Sequence, residues 1–160
     1  MVLCLLVCMF AVDGPVGDSI KAIQVNLAGI KCIVSGKPAT SQYFAKFKNR
    51  KIYFDCNTSR LKFETNRNEF ATKANHQLAI TGQYVQTRCP IQSATISASS
   101  SSIQIAGVKI RTCCVECLSK LTDDKTVLQQ IDFLFADRQF DKIFDPNQEI
   151  SNASANSSRR

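Results

Sequence analysis

Hydrophobic and polar residues alternate with a period of two in four short stretches, which fall into two pairs. Tyr43 to Phe47 and Lys51 to Phe54 carry β-forming residues at alternate positions, and Asn49-Arg50 reads as the turn between them. Ile103 to Ile105 and Val108 to Ile110 repeat the pattern around Ala106-Gly107. Two antiparallel hairpins are therefore predicted. Elsewhere the spacing lengthens. Leu61, Phe63, Phe70 and Ala71 fall at roughly helical intervals within Arg60 to Lys73. Phe140 and Phe144 lie one helical turn apart, which predicts a short closing helix over Asp137 to Phe144. The apolar stretch Thr126 to Phe135 fits either a helix or a strand.

The two ends differ from this body. Val2 to Val12 is an apolar run broken by Asp13-Gly14-Pro15. It is short for a bilayer span. Its length suits the apolar core of a secretory signal, although no Lys or Arg precedes Lys21. A buried strand or helix is the alternative. The expectation is a leader over residues 1–17 and a secreted or periplasmic protein. No stable membrane insertion is expected once the leader is removed. Residues 146–160 are rich in Asn and Ser and lack apolar periodicity, so a disordered tail is expected there.

The body repeats itself. Cys32 opens a first half that continues through the Tyr43–Phe54 hairpin to Cys56 and then Asn57 to Phe63. Cys89 opens a second half that continues through the Ile103–Ile110 hairpin to Cys113-Cys114 and then Val115 to Leu121. Lys51-Ile52 matches Lys109-Ile110, Cys56 matches Cys114, and Phe63 matches Leu121. The opening cysteines are one residue out of step, an ordinary loop difference. A repeat of this kind implies two copies of one supersecondary unit. The expected fold is α+β: two tandem small units over residues 18–82 and 83–145. Each is a β-hairpin followed by a short helix, and the two pack together.

Composition narrows the chemistry. The chain has 160 residues, 44% of them hydrophobic, so a real core is available. His76 is its single histidine, which removes multi-histidine metal sites and most histidine catalysis. The lone ring reads as a packed or hydrogen-bonding residue, with a fourth metal ligand as the alternative. The net charge is +7, but the basic residues are scattered apart from Lys46, Lys48, Arg50 and Lys51. That run falls at the first hairpin turn and reads as a solvated turn. Without a continuous basic face, no nucleic-acid partner is expected. No carboxylate pair, nucleophile motif or phosphate-cradling loop is present, so no enzymatic activity is expected.

The cysteines are the informative residues. Six follow the leader: Cys32, Cys56, Cys89, Cys113, Cys114 and Cys117. An even number in an exported chain suits disulfides as well as a metal site. The spacing Cys113-x3-Cys117 places two thiols about one helical turn apart on one side. A helix N-terminus there favours thiolate over thiol. Soft thiolates select zinc or Cu(I) over calcium or magnesium. Cys114 is adjacent and is either a further ligand or a core residue. Cys114-x-x-Cys117 has thioredoxin-like spacing, but no parallel βαβ pattern surrounds it.

The first half, from Cys32 through Gly36-Lys37-Pro38 and Lys51-Ile52-Tyr53-Phe54 to Cys56 and Phe63, resembles the YHS domain. Cys89, Cys113 and Cys117 resemble the spacing of the related TRASH pattern. The connecting stretch Lys73 to Leu78, with Thr81-Gly82-Gln83, is similar to that of two-copy exported proteins of this type from planctomycete-like bacteria. The resemblance implies treble-clef-like units that handle heavy metals. It implies Cys89, Cys113 and Cys117 as ligands for a zinc or copper ion, with Cys114 as a candidate fourth. In the first half the corresponding ligand positions are Cys32, residue 55 and residue 59. Asp55 and Ser59 occupy the last two, so this half is expected to be a degenerate copy. Cys32 and Cys56 form either a disulfide or part of that degenerate site. The rival reading of the whole chain is a disulfide-stapled structural or interaction protein.

Overall fold

The computed structural model describes residues 25–148. The leader and most of the predicted tail lie outside the described residues. The fold is α+β. In chain order it runs β1 (Thr40–Phe47), β2 (Arg50–Phe54), α1 (Asn57–Thr65), α2 (Arg67–Ile80), β3 (Tyr84–Gln86), β4 (Ser101–Ile105), β5 (Val108–Thr112), α3 (Val115–Thr122), α4 (Val127–Phe135), α5 (Asp137–Ile143) and β6 (Phe144–Pro146). Three two-stranded antiparallel sheets form: β1 with β2, β4 with β5, and β3 with β6.

Both predicted hairpins are present. The first turns at Lys48-Asn49, one residue earlier than the sequence suggests, with φ of 48° and 58°. The second turns at Ala106-Gly107, with φ of 47° and 82°. Two consecutive residues with positive φ make the tight turn whose twist matches antiparallel strands. At Gly107 a Cβ would lie 2.9 Å from the Ile80 side chain, so the turn also needs the missing side chain to seat on α2.

The helical stretch Arg60 to Lys73 is two helices, not one. It breaks at Asn66, which leaves helical geometry (φ −129°, ψ 44°), and Leu61 faces solvent. The apolar stretch 127–135 is a helix. Thr126 caps it, accepting from the Gln129 N–H while the Gln129 side chain accepts from the Thr126 N–H. The closing helix forms over Asp137–Ile143, while Phe144, expected inside it, opens β6; Phe140 still stacks on Phe144, with ring centroids 4.8 Å apart. The chain then enters β6, so order extends past the expected tail boundary. Tyr84 pairs with Pro146, and Asn147 donates to the Gln83 carbonyl.

One core joins the halves. Ile52, Phe54 and Phe63 from the first half and Ile105, Ile110 and Leu121 from the second belong to a single buried cluster with Phe135 and Phe140. Helix α2 ties them through three successive side chains. Asn75 donates to the Phe135 carbonyl (2.9 Å) and to Asp137 (2.8 Å), at the junction of α4 and α5. His76 donates from Nε2 to the Ala106 carbonyl (2.8 Å) at the second hairpin turn. Gln77 holds the first hairpin, as described next. The basic turn is not simply solvated. Lys48 pairs with Asp137 (3.2 Å) and Asp141 of α5, and Arg50 donates to the carbonyls of Asn147 (3.0 Å) and Gln83 (3.4 Å).

Each half carries the same glutamine clamp. The Gln77 amide accepts from the Tyr53 N–H (2.7 Å) and donates to the carbonyls of Tyr53 (3.0 Å) and Lys31 (3.1 Å). The Gln86 amide accepts from the Arg111 N–H (2.8 Å) and donates to the carbonyls of Arg111 and Arg88, both 2.8 Å. Tyr53 and Arg111 correspond, as do Lys31 and Arg88, which precede the opening cysteines. A side chain thus satisfies a hairpin edge that has no neighbouring strand. Replacing Gln77 by Ala leaves a buried N–H and two carbonyls unmatched. The expected loss is about 2–4 kcal/mol, read from urea unfolding midpoints.

Burial holds the His76 imidazole below its usual value, more than the Ala106 carbonyl raises it. The folded protein therefore binds this proton less readily than the unfolded chain. The stability it contributes is complete above the unfolded value of about 6.5. It is lost as pH falls through the lowered folded value. Thermal melts should therefore decline on acidification below about pH 6, and less steeply for His76→Gln, which keeps a donor but does not titrate.

Candidate metal centre

The second-half site is assembled from one loop, one strand end and one helix start. Cys89 sits in a tight loop. Its N–H donates to the Ala94 carbonyl (2.8 Å), its carbonyl accepts from Ser93 (2.9 Å), and Ser93 takes a φ of 58°. Cys113 follows β5. Cys114 is the extended residue that starts α3, and Cys117 lies in the first turn of that helix.

These placements bring the sulfurs of Cys89, Cys113 and Cys117 all within 4.8 Å of one another. The Cys113 and Cys117 sulfurs are 3.7 Å apart. Two thiolates on one tetrahedral zinc, each at about 2.3 Å, stand about 3.8 Å apart. The donor set fits a soft ion in both element and spacing. Cys89 and Cys117 are fully buried, and Cys113 is part-exposed. Cys114 lies outside the converging group, with its sulfur 4.0 Å from that of Cys113. His76 also stands apart, committed to the second hairpin turn by its bond to Ala106.

The three thiols differ in their hold on the proton. Burial raises Cys89, but the N–H groups of Gln92, Cys113 and Ile91 and the Cys113 thiol outweigh it, bringing it down to about 7. Hydrogen bonding to Cys89 and then burial push Cys113 up. Burial, reinforced by the neighbouring thiols, pushes Cys117 up. Without a cation the pocket therefore favours a single thiolate, shared with two thiols. A cation would displace the remaining protons, so binding should weaken at low pH.

The first half reproduces this frame with other side chains. Cys32 donates from N–H to the Lys37 carbonyl (2.7 Å), and its carbonyl accepts from Gly36 (2.9 Å), where φ is 74°. Cys56 starts α1 with φ −153° and ψ 169°, against −153° and 168° at Cys114. In place of Cys113 and Cys117 stand Asp55 and Ser59. Hydrogen bonds to the Asp55 carboxylate from the side chains of Cys32 and Ser59, and from Ser35, hold it well below the ordinary carboxylate range. Asp55 Oδ1 is buried with no hydrogen-bond partner. All six described cysteines are free thiols. Cys32 is turned to Asp55, and the Cys56 sulfur is 3.5 Å from the Ser59 hydroxyl. A cavity of about 520 Å³ opens beside the Cys32 loop, bordered by Lys73, His76 and Ile80. None of the three converging cysteines lines it.

Comparison with protein families, with curated proteins and with solved structures finds no match for this chain. The site is therefore read from its own geometry. Of the four candidate ligands the sequence offers, Cys89, Cys113 and Cys117 converge and Cys114 stands outside the group. The glutamine clamps behind Cys32 and Cys89 are not foreseen, because Gln77 and Gln86 do not share the register of the repeat.

Proposed function

We propose that this is an exported heavy-metal-binding protein of YHS/TRASH type that holds one zinc or copper ion through Cys89, Cys113 and Cys117. The observation that carries the reading is the convergence of three sulfurs, two of them fully buried, from a loop, a strand end and a helix start. Sulfurs gathered from separate elements at this spacing form the soft donor set that zinc or Cu(I) selects. The backbone N–H groups of Ile91 and Gln92 support charge on Cys89, whereas Cys113 and Cys117, at the start of α3, hold their protons more tightly than the helix start alone suggests and would release them to a cation. The treble-clef assignment rests on the repeated order of loop, hairpin and helix. Export rests on the apolar run Val2 to Val12. Among the described residues no helix is long and apolar enough to cross a membrane.

Purified protein kept reduced should carry about one equivalent of zinc or copper by elemental analysis. Cys117→Ser should lose it, and Cys56→Ser should keep it. Metal-free wild type after supplementation with both ions would end this reading.

A second reading, a disulfide-stapled protein without metal, is favoured by the same proximity, since Cys113 and Cys117 sulfurs lie 3.7 Å apart. A native free-thiol count near zero would select it.

A further inference from the structure

We infer that the ion in the second half is held by three protein sulfurs only, and that its fourth place is filled from outside by an exchangeable thiol. This rests on the metal-binding reading and deepens it.

The first observation is the position of Cys114. It is the nearest further thiol, yet it stands outside the group whose sulfurs all lie within 4.8 Å. A closed four-sulfur zinc site requires every pair of sulfurs to stand about 3.8 Å apart. Cys114 approaches Cys113 at 4.0 Å but does not join the set that includes Cys89.

The second observation is that Cys114 has another explanation. The first half carries a cysteine at the same place, Cys56, with the same backbone conformation to within a degree. That half has Asp55 and Ser59 where the ligands would be, and no converging trio. A cysteine at this position therefore recurs whether or not a thiol cluster is present. In both halves it opens a helix and bonds within its first turn: Cys56 to Ser59 at 3.5 Å, and Cys114 to Glu116 and to Cys117, which stands at the Ser59 position.

The third observation is the exposure of the trio. Cys89 and Cys117 are sealed in the interior, whereas Cys113 is part-exposed and, besides its neighbouring thiols, meets the exposed Gln92 side chain at 3.5 Å. The cluster therefore meets solvent at one corner. Closed coordination marks structural zinc sites, and an open position marks sites where a ligand enters. A thiol arriving at the Cys113 corner would give its proton to solvent and bind as thiolate, completing four sulfurs. Its departure would restore three. Such a site takes up and hands on its ion by ligand exchange, with no redox step. The incoming thiol belongs either to a small molecule or to a cysteine of another protein.

The test uses full-length protein reduced with a phosphine, so that no thiol is added with the reductant, and loaded with cadmium. The sulfur-to-cadmium charge-transfer absorption counts bound thiolates. Wild type and Cys114→Ser should show equal intensity, and serine is itself a favourable helix N-cap. Added mercaptoethanol should raise both by about one third, as three thiolates become four. A cysteine-bearing peptide in place of mercaptoethanol tests the protein source, and a rise with either thiol supports the inference. A fall of about one quarter in Cys114→Ser, with no response of wild type to thiol, overturns it in favour of a closed site that includes Cys114. Failure to take up cadmium at all would instead overturn the metal reading, and this inference with it.

Discussion

Stripped of its ion, the reduced protein should melt at least ~10 °C below the loaded form. The reason lies in what the sulfurs join. Cys89 stands in its own tight loop, tethered on either side by Gln86 at Arg88 and Gln139 at Pro90, and Cys117 in the first turn of an eight-residue helix. Neither element would be stable alone. A thiolate-bound ion links loop, strand end and helix start at one point, and binding free energy of that kind acts as folding free energy. Each half of about 60 residues is also small for a core that must stand without a staple. Cys89→Ser and Cys117→Ser should melt like the stripped wild type and should not respond to added zinc. In hydrogen exchange, the loss of protection should concentrate at the Cys89 loop and α3. The β1–β2 hairpin and α1 should retain theirs. Coincident melts with and without the ion would contradict this.

Asp55→Cys combined with Ser59→Cys should raise the metal content from one ion per chain to two. The frame is already in place. Cys32 occupies its loop with the same pair of backbone bonds as Cys89, and the chain enters α1 as it enters α3. What differs is the pair of side chains. The Asp55 carboxylate gathers the Cys32 thiol and the Ser59 and Ser35 hydroxyls by hydrogen bonding, so the first half closes around an acceptor where the second gathers sulfur. Two substitutions give three thiols in the arrangement of the second half. Asp55→Cys alone supplies two sulfurs and a hydroxyl and should bind the second ion weakly. Elemental analysis after gel filtration reads the outcome. A stoichiometry fixed at one would show that the two frames are not interchangeable.

Much of this was legible because it was local. Alternation and turn residues located both hairpins, and the repeat placed a helix after each cysteine cluster. The cysteine spacing and the family resemblance singled out Cys89, Cys113 and Cys117, with Cys114 as a candidate fourth, and the first three converge. Other features were missed for identifiable reasons. The break at Asn66 follows no proline or glycine, so no local signal marks it, and Phe63 and Phe70 on either side both enter the single core. The Thr126-x-x-Gln129 box was a readable start signal that would have settled α4 as a helix. The pairing of β3 with β6 joins residues distant in sequence, and neither three-residue strand has a period to detect. The clamps of Gln77 and Gln86 escaped because one comes from a helix and the other from a strand, though they meet equivalent backbone atoms. Lys48 and Arg50 read as a solvated turn, and only the fold brings them to Asp137, Asp141 and the carbonyls of Gln83 and Asn147.

The central claim is that three named thiols hold a soft ion. Native mass spectrometry of the reduced, zinc-supplemented protein, with thiol alkylation mapped on the same sample, tests it most directly. The expected result is one bound ion per chain, with Cys89, Cys113 and Cys117 alkylated only after chelation. A metal-free mass, or the same alkylation of these cysteines before and after chelation, would contradict it.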